Sequence, residues 1–485
     1  MISKLTRLLK ESALYSLTAI ASPFIGIILV PIYTRVFSPD EYGIIELITT
    51  ITALLTVFLI AGLETGIGRY FVDTGASDDK RKIASTGIAY LAITSAIVIA
   101  VLMVFSNDLS SLLFHNINYS NVLLVALACV PFIVLVSSFA NLLRFRLQPM
   151  RAVFLALGTL LLQTALIIIF VVVMNTGMVG IYIATLITQL VFTLVGFFLT
   201  YDSYALVFSW TRLKLILAFG LPYLLLSFCY FIMTNSDRYF LNYYQGLGEV
   251  GIYGIGYKVA SVIGVAVMGF QLAWGPFIYS TYKDADAKRT FARVFDYVSV
   301  AACILLLGLS LFSRELLYIF TTAQYYGAYK IVPFISAGLI IYTLGGYFSI
   351  GVGIEKKTIH VAWTGVVAAL VNLSLNWLLI PRFGMIGAAV SAVFSFLLLA
   401  VLLMVISQKL YKIPYRFGAN GLLYILTAAI IAAAYLFIMN DVNWMNVGIK
   451  VLLLLAFLAV PFALKLLGVA EVKYLYGLVT RTGRK

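Results

Sequence analysis

About 14 apolar stretches follow one another along this chain, beginning near residues 12, 43, 83, 119, 151, 178, 215, 250, 291, 328, 359, 384, 419 and 444. Each approaches the roughly 20 residues that carry a helix across the hydrocarbon of a bilayer. Inside lipid a backbone must satisfy its own hydrogen bonds, so runs of this length are read as helices. Composition agrees, with 63% hydrophobic and 11% charged residues. A soluble domain is nearer half apolar and a quarter charged, and a chain this apolar lacks the polar groups to cover a water-facing surface. The expectation is an all-α polytopic membrane protein. The opening "MISKLTRLLKESALYSLTAIASP" resembles a secretory signal with Ala19-Ile20-Ala21 as its cleavage site. The apolar run continues through "FIGIILVPIY", too long for a signal core, so an uncleaved first helix is expected.

The formal net charge of +14 would suit a nucleic-acid partner if it were clustered on one surface, but it is distributed by position. Alternate connections hold most of the basic residues: Lys4, Arg7 and Lys10; Lys80, Arg81 and Lys82; Arg144, Arg146 and Arg151; Arg212 and Lys214; Lys283, Lys288, Arg289 and Arg293; Lys356 and Lys357; Lys409, Lys412 and Arg416; and Lys465, Lys473, Arg481, Arg484 and Lys485 in the tail. The intervening connections hold only Arg35, Arg314, Lys330, Arg382 and Lys450. Lysine and arginine in short loops stay cytoplasmic. Both termini are therefore expected in the cytoplasm, the number of spans is even, and no nucleic acid is expected as a partner. No connection exceeds about 20 residues, which leaves no room outside the membrane for a catalytic domain.

An internal repeat organises the spans. "EYGII" at Glu41 is similar to "EVGIY" at Glu249, 208 residues on, and "GMVGIYIAT" at Gly177 to "GMIGAAVSA" at Gly384, 207 on. The basic patch before Gly158 matches the one before Gly365 at the same spacing. Three matches at nearly one offset indicate a duplication, and an offset of six spans preserves orientation. The expected segments are 1–208 (spans one to six), 209–410 (spans seven to twelve) and 411–485 (the last two spans and the tail).

Charged groups at membrane depth are costly and mark cavities or bundle interiors. Glu46 and Glu64 lie on the second run, 18 residues apart, which in an unbroken helix is five turns and one face. Tyr223, Ser227, Tyr230, Thr234 and Asp237 form a helical stripe on the seventh run, followed by Arg238. Gly251, Gly254, Lys258 and Ser261 share a face of the eighth, and Asn372 and Asn376 are one turn apart on the eleventh. Each admits an ordinary reading: Lys258 snorkelling or paired with Glu46, Asp237 and Arg238 an interfacial ion pair, Glu64 paired with Arg69, and Arg35 and Arg69 interfacial anchors. Burial of Glu64 alternatively makes it a proton-coupling candidate. Cys129, Cys229 and Cys303 sit in apolar runs without metal-ligand spacing, and His115 and His360 are isolated, so no metal or catalytic site is expected.

In this order on this many spans, "LVPIYTRVFSPDEYGII", "GLETGIGRYF", "SDRYFLNYYQGLGEVGIYGIGYK", "QLAWGPFIY" and "LNWLLIPRFGMIGAAVSA" resemble the polysaccharide transporter family of the multidrug/oligosaccharidyl-lipid/polysaccharide exporter superfamily, over nearly the whole chain. The resemblance implies two six-helix bundles around a central cavity and flipping of a lipid-linked oligosaccharide, such as an O-antigen or capsule repeat unit on undecaprenyl pyrophosphate, across the bacterial inner membrane. Basic cavity residues of such proteins hold the pyrophosphate; the matches here are Arg35, Arg238 and Lys258, with Arg69 beside them. Tyr230, Thr234, Asn372 and Asn376 are added as cavity contacts to head group or sugar, and Glu46, Glu64 and Asp237 as ion-coupling candidates. Besides substrate and membrane lipids, polysaccharide polymerase and chain-length machinery are the partners to consider. No nucleotide-binding G-x-x-x-x-G-K-[ST] loop is present and no cofactor is expected. The competing readings are an ion-coupled small-solute or drug antiporter of the multidrug and toxin extrusion type, an enzyme acting on lipid-linked sugars, and a flippase for a peptidoglycan precursor.

Overall fold

A computed structural model describes Thr18 and residues 21–74, 76–114, 116–205, 207–355, 359–438 and 443–468, side chains excepted at 265–273, 275, 276, 279, 280 and 359. The start of the first run, Lys4, Arg7, Lys10, Ala19, Ile20, His115, Lys356, Lys357 and the tail from 469 lie outside the described residues.

The first described helix is α1 (Ala21–Val36). The "SPDE" that follows fixes the start of α2 (Pro39–Ile60). Ser38 Oγ accepts from the Glu41 amide at 3.3 Å, and Glu41 Oε2 accepts from the Ser38 amide at 2.9 Å. This reciprocal cap satisfies two of the free amides of the first turn, with Pro39 where no amide is needed. The helix ends at Ala61 and Gly62, both left-handed (φ 46° and 70°), and the segment resumes as α3 (Leu63–Asp73). Next come α4 (Ser77–Val104), α5 (Ser106–Phe114), α6 (Ser120–Phe145), α7 (Pro149–Ile167), α8 (Gly177–Thr200), α9 (Trp210–Gln245) and α10 (Leu247–Thr281). The remainder is α11 (Ala287–Leu311), α12 (Ser313–Phe320), α13 (Val332–Phe348), α14 (Ile350–Ile354), α15 (Ile359–Leu410), α16 (Phe417–Phe437), α17 (Trp444–Phe457) and α18 (Val460–Ala463).

Among the described residues 11 helical segments are long and apolar enough to cross a membrane. One of them, α15, bends at Gly384 (φ 53°, ψ −133°) and supplies two crossings. With α10 and the described part of the first run, these account for the fourteen expected spans. The protein is an all-α polytopic membrane protein.

The repeat reappears in the placement of elements. α4 ends at Val104 and α11 at Leu311, and the short helices α5 and α12 open at Ser106 and Ser313, each pair 207 apart. Gly177 and Gly384, which head the second repeated motif, both take positive φ (63° and 53°). The first motif gives a reciprocal contact. A Cβ on Gly43 would overlap the Leu247 carbonyl oxygen, and a Cβ on Gly251 would overlap that of Pro39. Pro39 and Leu247, like Gly43 and Gly251, are 208 apart, so each repeat offers the other the same glycine and the same carbonyl. Such exchange is what a two-fold relation between like surfaces produces.

By contact the chain divides into two compact units: residues up to Ile255 with Gly365–Ala388, and Gly256–Thr364 with Ala389 onward. This differs from the repeat boundary because α2 and α3 pack against α9. In the first unit Phe139, Leu143, Leu155 and Phe192 form a core among α6, α7 and α8. Basic connections converge there: the Arg146 guanidinium grips the Asp202 carboxylate at 2.5 and 2.6 Å, Arg81 Nε donates to the Asp202 carbonyl, and Arg212 pairs with Asp79 at 3.0 Å.

In the second unit Trp274, Phe291, Phe295 and Tyr347 pack together, and Leu307, Leu423 and Phe457 join α16 and α17 to α11. Two polar links add to this packing: Asn420 Nδ2 donates to Asp296 Oδ1 at 2.7 Å, between α16 and α11, and Lys450 Nζ meets Glu315 Oε1 at 2.5 Å, between α17 and α12. Lys450, expected among the loop charges, is instead fully buried within α17, where Glu315 supplies the countercharge.

Candidate functional site

The polar stripe of the seventh run ends in a buried charge cluster within the first unit. Asp237 and Arg238, on α9, are only 4% and 5% exposed, and Glu46, on α2, is 8% exposed. Arg238 Nη1 lies 3.1 Å from Asp237 Oδ1, and Arg238 Nε 3.4 Å from Glu46 Oε2. The same Nη1 donates to the Thr234 carbonyl at 2.9 Å. Two tyrosines finish the site: the Tyr42 hydroxyl donates to Glu46 Oε1 at 3.0 Å, and the Tyr253 hydroxyl donates to Asp237 Oδ2. Arg238 also stacks its guanidinium over the Tyr253 ring, 5.8 Å from the centroid. Gly254 makes room for this, since a Cβ there would strike the Glu46 carboxyl. Two carboxyls thus approach one guanidinium in a buried interior. An arriving anion would compete with both carboxyls for Arg238.

One residue away a neutral lock forms. Asn376 Nδ2 donates to Ser236 Oγ at 3.1 Å and to Asn372 Oδ1 at 3.2 Å, and Ser236 Oγ lies 3.1 Å from Asn372 Oδ1. Both asparagines are buried, so in this structure their amides fix the first part of α15 to α9. Thr234 is buried and Tyr230 exposed. The stripe therefore runs from open to buried along α9.

The remaining expected residues lie elsewhere. Glu46 and Glu64 do not share a helix face, because the left-handed pair Ala61 and Gly62 re-aims the chain between them. Glu64 turns to α6: Ser137 Oγ donates to Glu64 Oε1 at 2.9 Å, Ser138 Oγ at 3.3 Å, and Asn141 Nδ2 donates to Oε2. Arg69, a proposed partner of Glu64, pairs instead with Asp73 at 3.0 Å, one turn along α3, and both are exposed. Arg35 is exposed at the end of α1 and donates to the Pro31 carbonyl at 3.3 Å. Lys258 is half-buried on the part of α10 that belongs to the second unit. Glu46 is met by Arg238 and Tyr42.

The family described as polysaccharide biosynthesis protein matches residues 8–282, more than half of the chain. The chain belongs to that family. The matched region includes Glu46, Glu64, Asp237, Arg238 and Lys258 and leaves out Asn372 and Asn376. Among curated sequences the chain is similar to the "Lsg locus putative protein 1" of Haemophilus influenzae, 23% identical over 290 residues, 57% of this chain and 67% of that protein. Among solved structures, the lipid II flippase MurJ in an inward closed conformation has a TM-score of 0.73 at 15% identity, covering 93% of this chain and 99% of that one. An inward-facing multidrug resistance MATE family transporter of the MOP superfamily has a TM-score of 0.65 at 16% identity, covering 84% and 99%. At such identities these neighbours establish the fold: this family member shares the architecture of membrane transporters and flippases.

Sequence reasoning found the charges and missed their escorts. Tyr42 was legible in principle, four residues before Glu46 on one helix. Ser137, Ser138 and Asn141 also share a helical face on the fourth span, yet nothing in the sequence pointed that face at Glu64. Tyr253 was hidden by the abundance of tyrosine, 31 in all.

Proposed function

We propose that this protein is a flippase that moves a lipid-linked oligosaccharide, on undecaprenyl pyrophosphate, from the cytoplasmic to the outer leaflet of the bacterial inner membrane. A pyrophosphate with several sugars cannot cross about 30 Å of hydrocarbon unaided. The observation that carries the reading is the Arg238 guanidinium, buried on a membrane-length helix between Glu46 and Asp237. It is a cation placed where an anionic head group could compete for it. Family membership supports a role in polysaccharide production, and the basic connections support cytoplasmic termini.

In this proposal Arg35, Arg238 and Lys258 receive the pyrophosphate along the route, and Tyr230, Thr234, Asn372 and Asn376 line it. The repeats 1–208 and 209–410 alternate access by rocking, with 411–485 attached to the second. Transport is driven by an ion gradient or by downstream consumption. Glu46 and Asp237 are the coupling candidates, because both are acids buried beside the guanidinium that an anionic head group would engage. A polymerase and chain-length machinery consume the product, and the protein performs no covalent chemistry.

The test is reconstitution in liposomes with lipid-linked oligosaccharide on one leaflet, following sugar accessibility to an impermeant reagent on the other. Transfer by the wild type that slows sharply in Lys258→Met is the expected result. Absence of transfer by protein that still binds the lipid would overturn the reading in favour of the small-solute antiporter.

A further inference from the structure

A second polar site lies apart from the Arg238 cluster, in the first unit, where α3, α6 and α9 line an open pocket of about 500 Å³. That volume falls within the roughly 300–1,000 Å³ usual for small-ligand sites. Its walls differ in kind. Glu64, Arg69 and Asp73 come from α3, Asn141 from α6, and Phe219 and Tyr223 from α9. The two rings lie 5.8 Å apart at 34°, and Tyr223 is 42% exposed.

We propose that this cavity is a saccharide subsite, which receives a sugar of the head group while the pyrophosphate is held elsewhere. The inference rests on the flippase reading and deepens it. A sugar ring has an apolar C–H face and an edge of hydroxyls that both donate and accept. The aromatic pair offers a platform for the face. The polar wall offers both senses of hydrogen bond. Among the described residues, Glu64 Oε1 accepts from Ser137 and Ser138, and Oε2 accepts only from Asn141. A carboxylate takes about four such bonds, so Oε2 keeps room for a hydroxyl. The Arg69–Asp73 pair presents donors and acceptors together.

The wall is pre-set for this. Arg144 Nη1 donates to Asn141 Oδ1 at 3.1 Å, and Asn141 in turn donates to Glu64, so the acceptor is aimed before a ligand arrives. Its charge disfavours a phosphate, since two carboxylates stand against one guanidinium among the lining residues. The three donors that hold Glu64 are all neutral, unlike those around Glu46.

The experiment uses the full-length protein in nanodiscs and two probes: lipid-linked oligosaccharide extracted from cells expressing the protein, and undecaprenyl pyrophosphate without sugar. The wild type should bind the sugar-bearing lipid more tightly than the bare one. Tyr223→Ala removes the platform and Thr65→Trp fills the cavity from an exposed position on its wall. Each should weaken the sugar-bearing lipid about tenfold, a usual cost for a truncated aromatic anchor, and leave the bare lipid unchanged. Equal affinities for the sugared lipid in wild type and both variants would overturn the subsite while sparing the flippase. Failure of the wild type to bind either lipid would overturn both. Competition by tetraethylammonium that vanishes in Glu64→Gln would assign the cavity to cations and overturn the saccharide reading.

Discussion

Glu46 and Glu64 lie 18 residues apart on one membrane-length segment, and the chain satisfies them by opposite means. Glu46 is buried and met by a guanidinium, a tyrosine hydroxyl and a glycine that makes room for it. Glu64 is half-buried, held by two serines and an amide, and opens on a cavity. A carboxylate removed from water needs a countercharge, whereas one that still faces an open pocket can be held by neutral dipoles. The difference separates an acid held by a countercharge from one held by neutral donors.

The largest expected effect tests the first half of that contrast. Arg238→Met leaves two buried carboxyls without their guanidinium, and removal of one partner from a buried pair costs about 3–5 kcal/mol. Its melting midpoint in detergent should be the lowest among single substitutions at these two sites. Adding Glu46→Gln and Asp237→Asn should recover the larger part of the loss. No recovery would mean that Arg238 acts through packing, and the contrast between the two acids would lose its electrostatic basis.

A smaller effect probes the reciprocal seam beside Glu46. Gly43→Val and Gly251→Val each force a side chain onto the opposite repeat's carbonyl oxygen. Overpacking of this kind costs about 1–3 kcal/mol. Equivalence of the two contacts predicts similar losses in the two variants. Once one substitution has parted α2 from α10 the second has less to displace, so the double variant should fall short of the sum. Losses that differ widely or add fully would show that the two glycines do not serve one contact.

That seam also shows what a sequence conveys. The repeat was readable from short motifs at one offset, and the spans were readable because a bilayer imposes a length. Interior charges were readable because lipid makes them expensive. Their pairing was not. Arg238 meets Glu46 across 192 positions, a contact set by how α2 lies on α9. The break at Ala61 was equally hidden, since alanine ordinarily favours the helix it interrupts here. One left-handed residue before Gly62 therefore turned an apparent shared face into two unrelated sites.

The smallest effect concerns Arg69, which the sequence offered both as partner to Glu64 and as pyrophosphate ligand. Its bridge to Asp73 joins two exposed side chains one turn apart, 57% and 51% accessible. Such pairs contribute about 0–1 kcal/mol, because water solvates each charge nearly as well and two long side chains lose freedom in meeting. Arg69→Ala should therefore leave the melting midpoint almost where it was. Glu64 should keep its three donors, since none of them belongs to Arg69. A loss in Arg69→Ala as large as that in Arg238→Met would place Arg69 in the Glu64 network and erase the distinction between the two acids. If stability holds while affinity for sugar-bearing lipid falls and affinity for bare undecaprenyl pyrophosphate does not, Arg69 serves the saccharide. A fall in both affinities would assign it to the pyrophosphate.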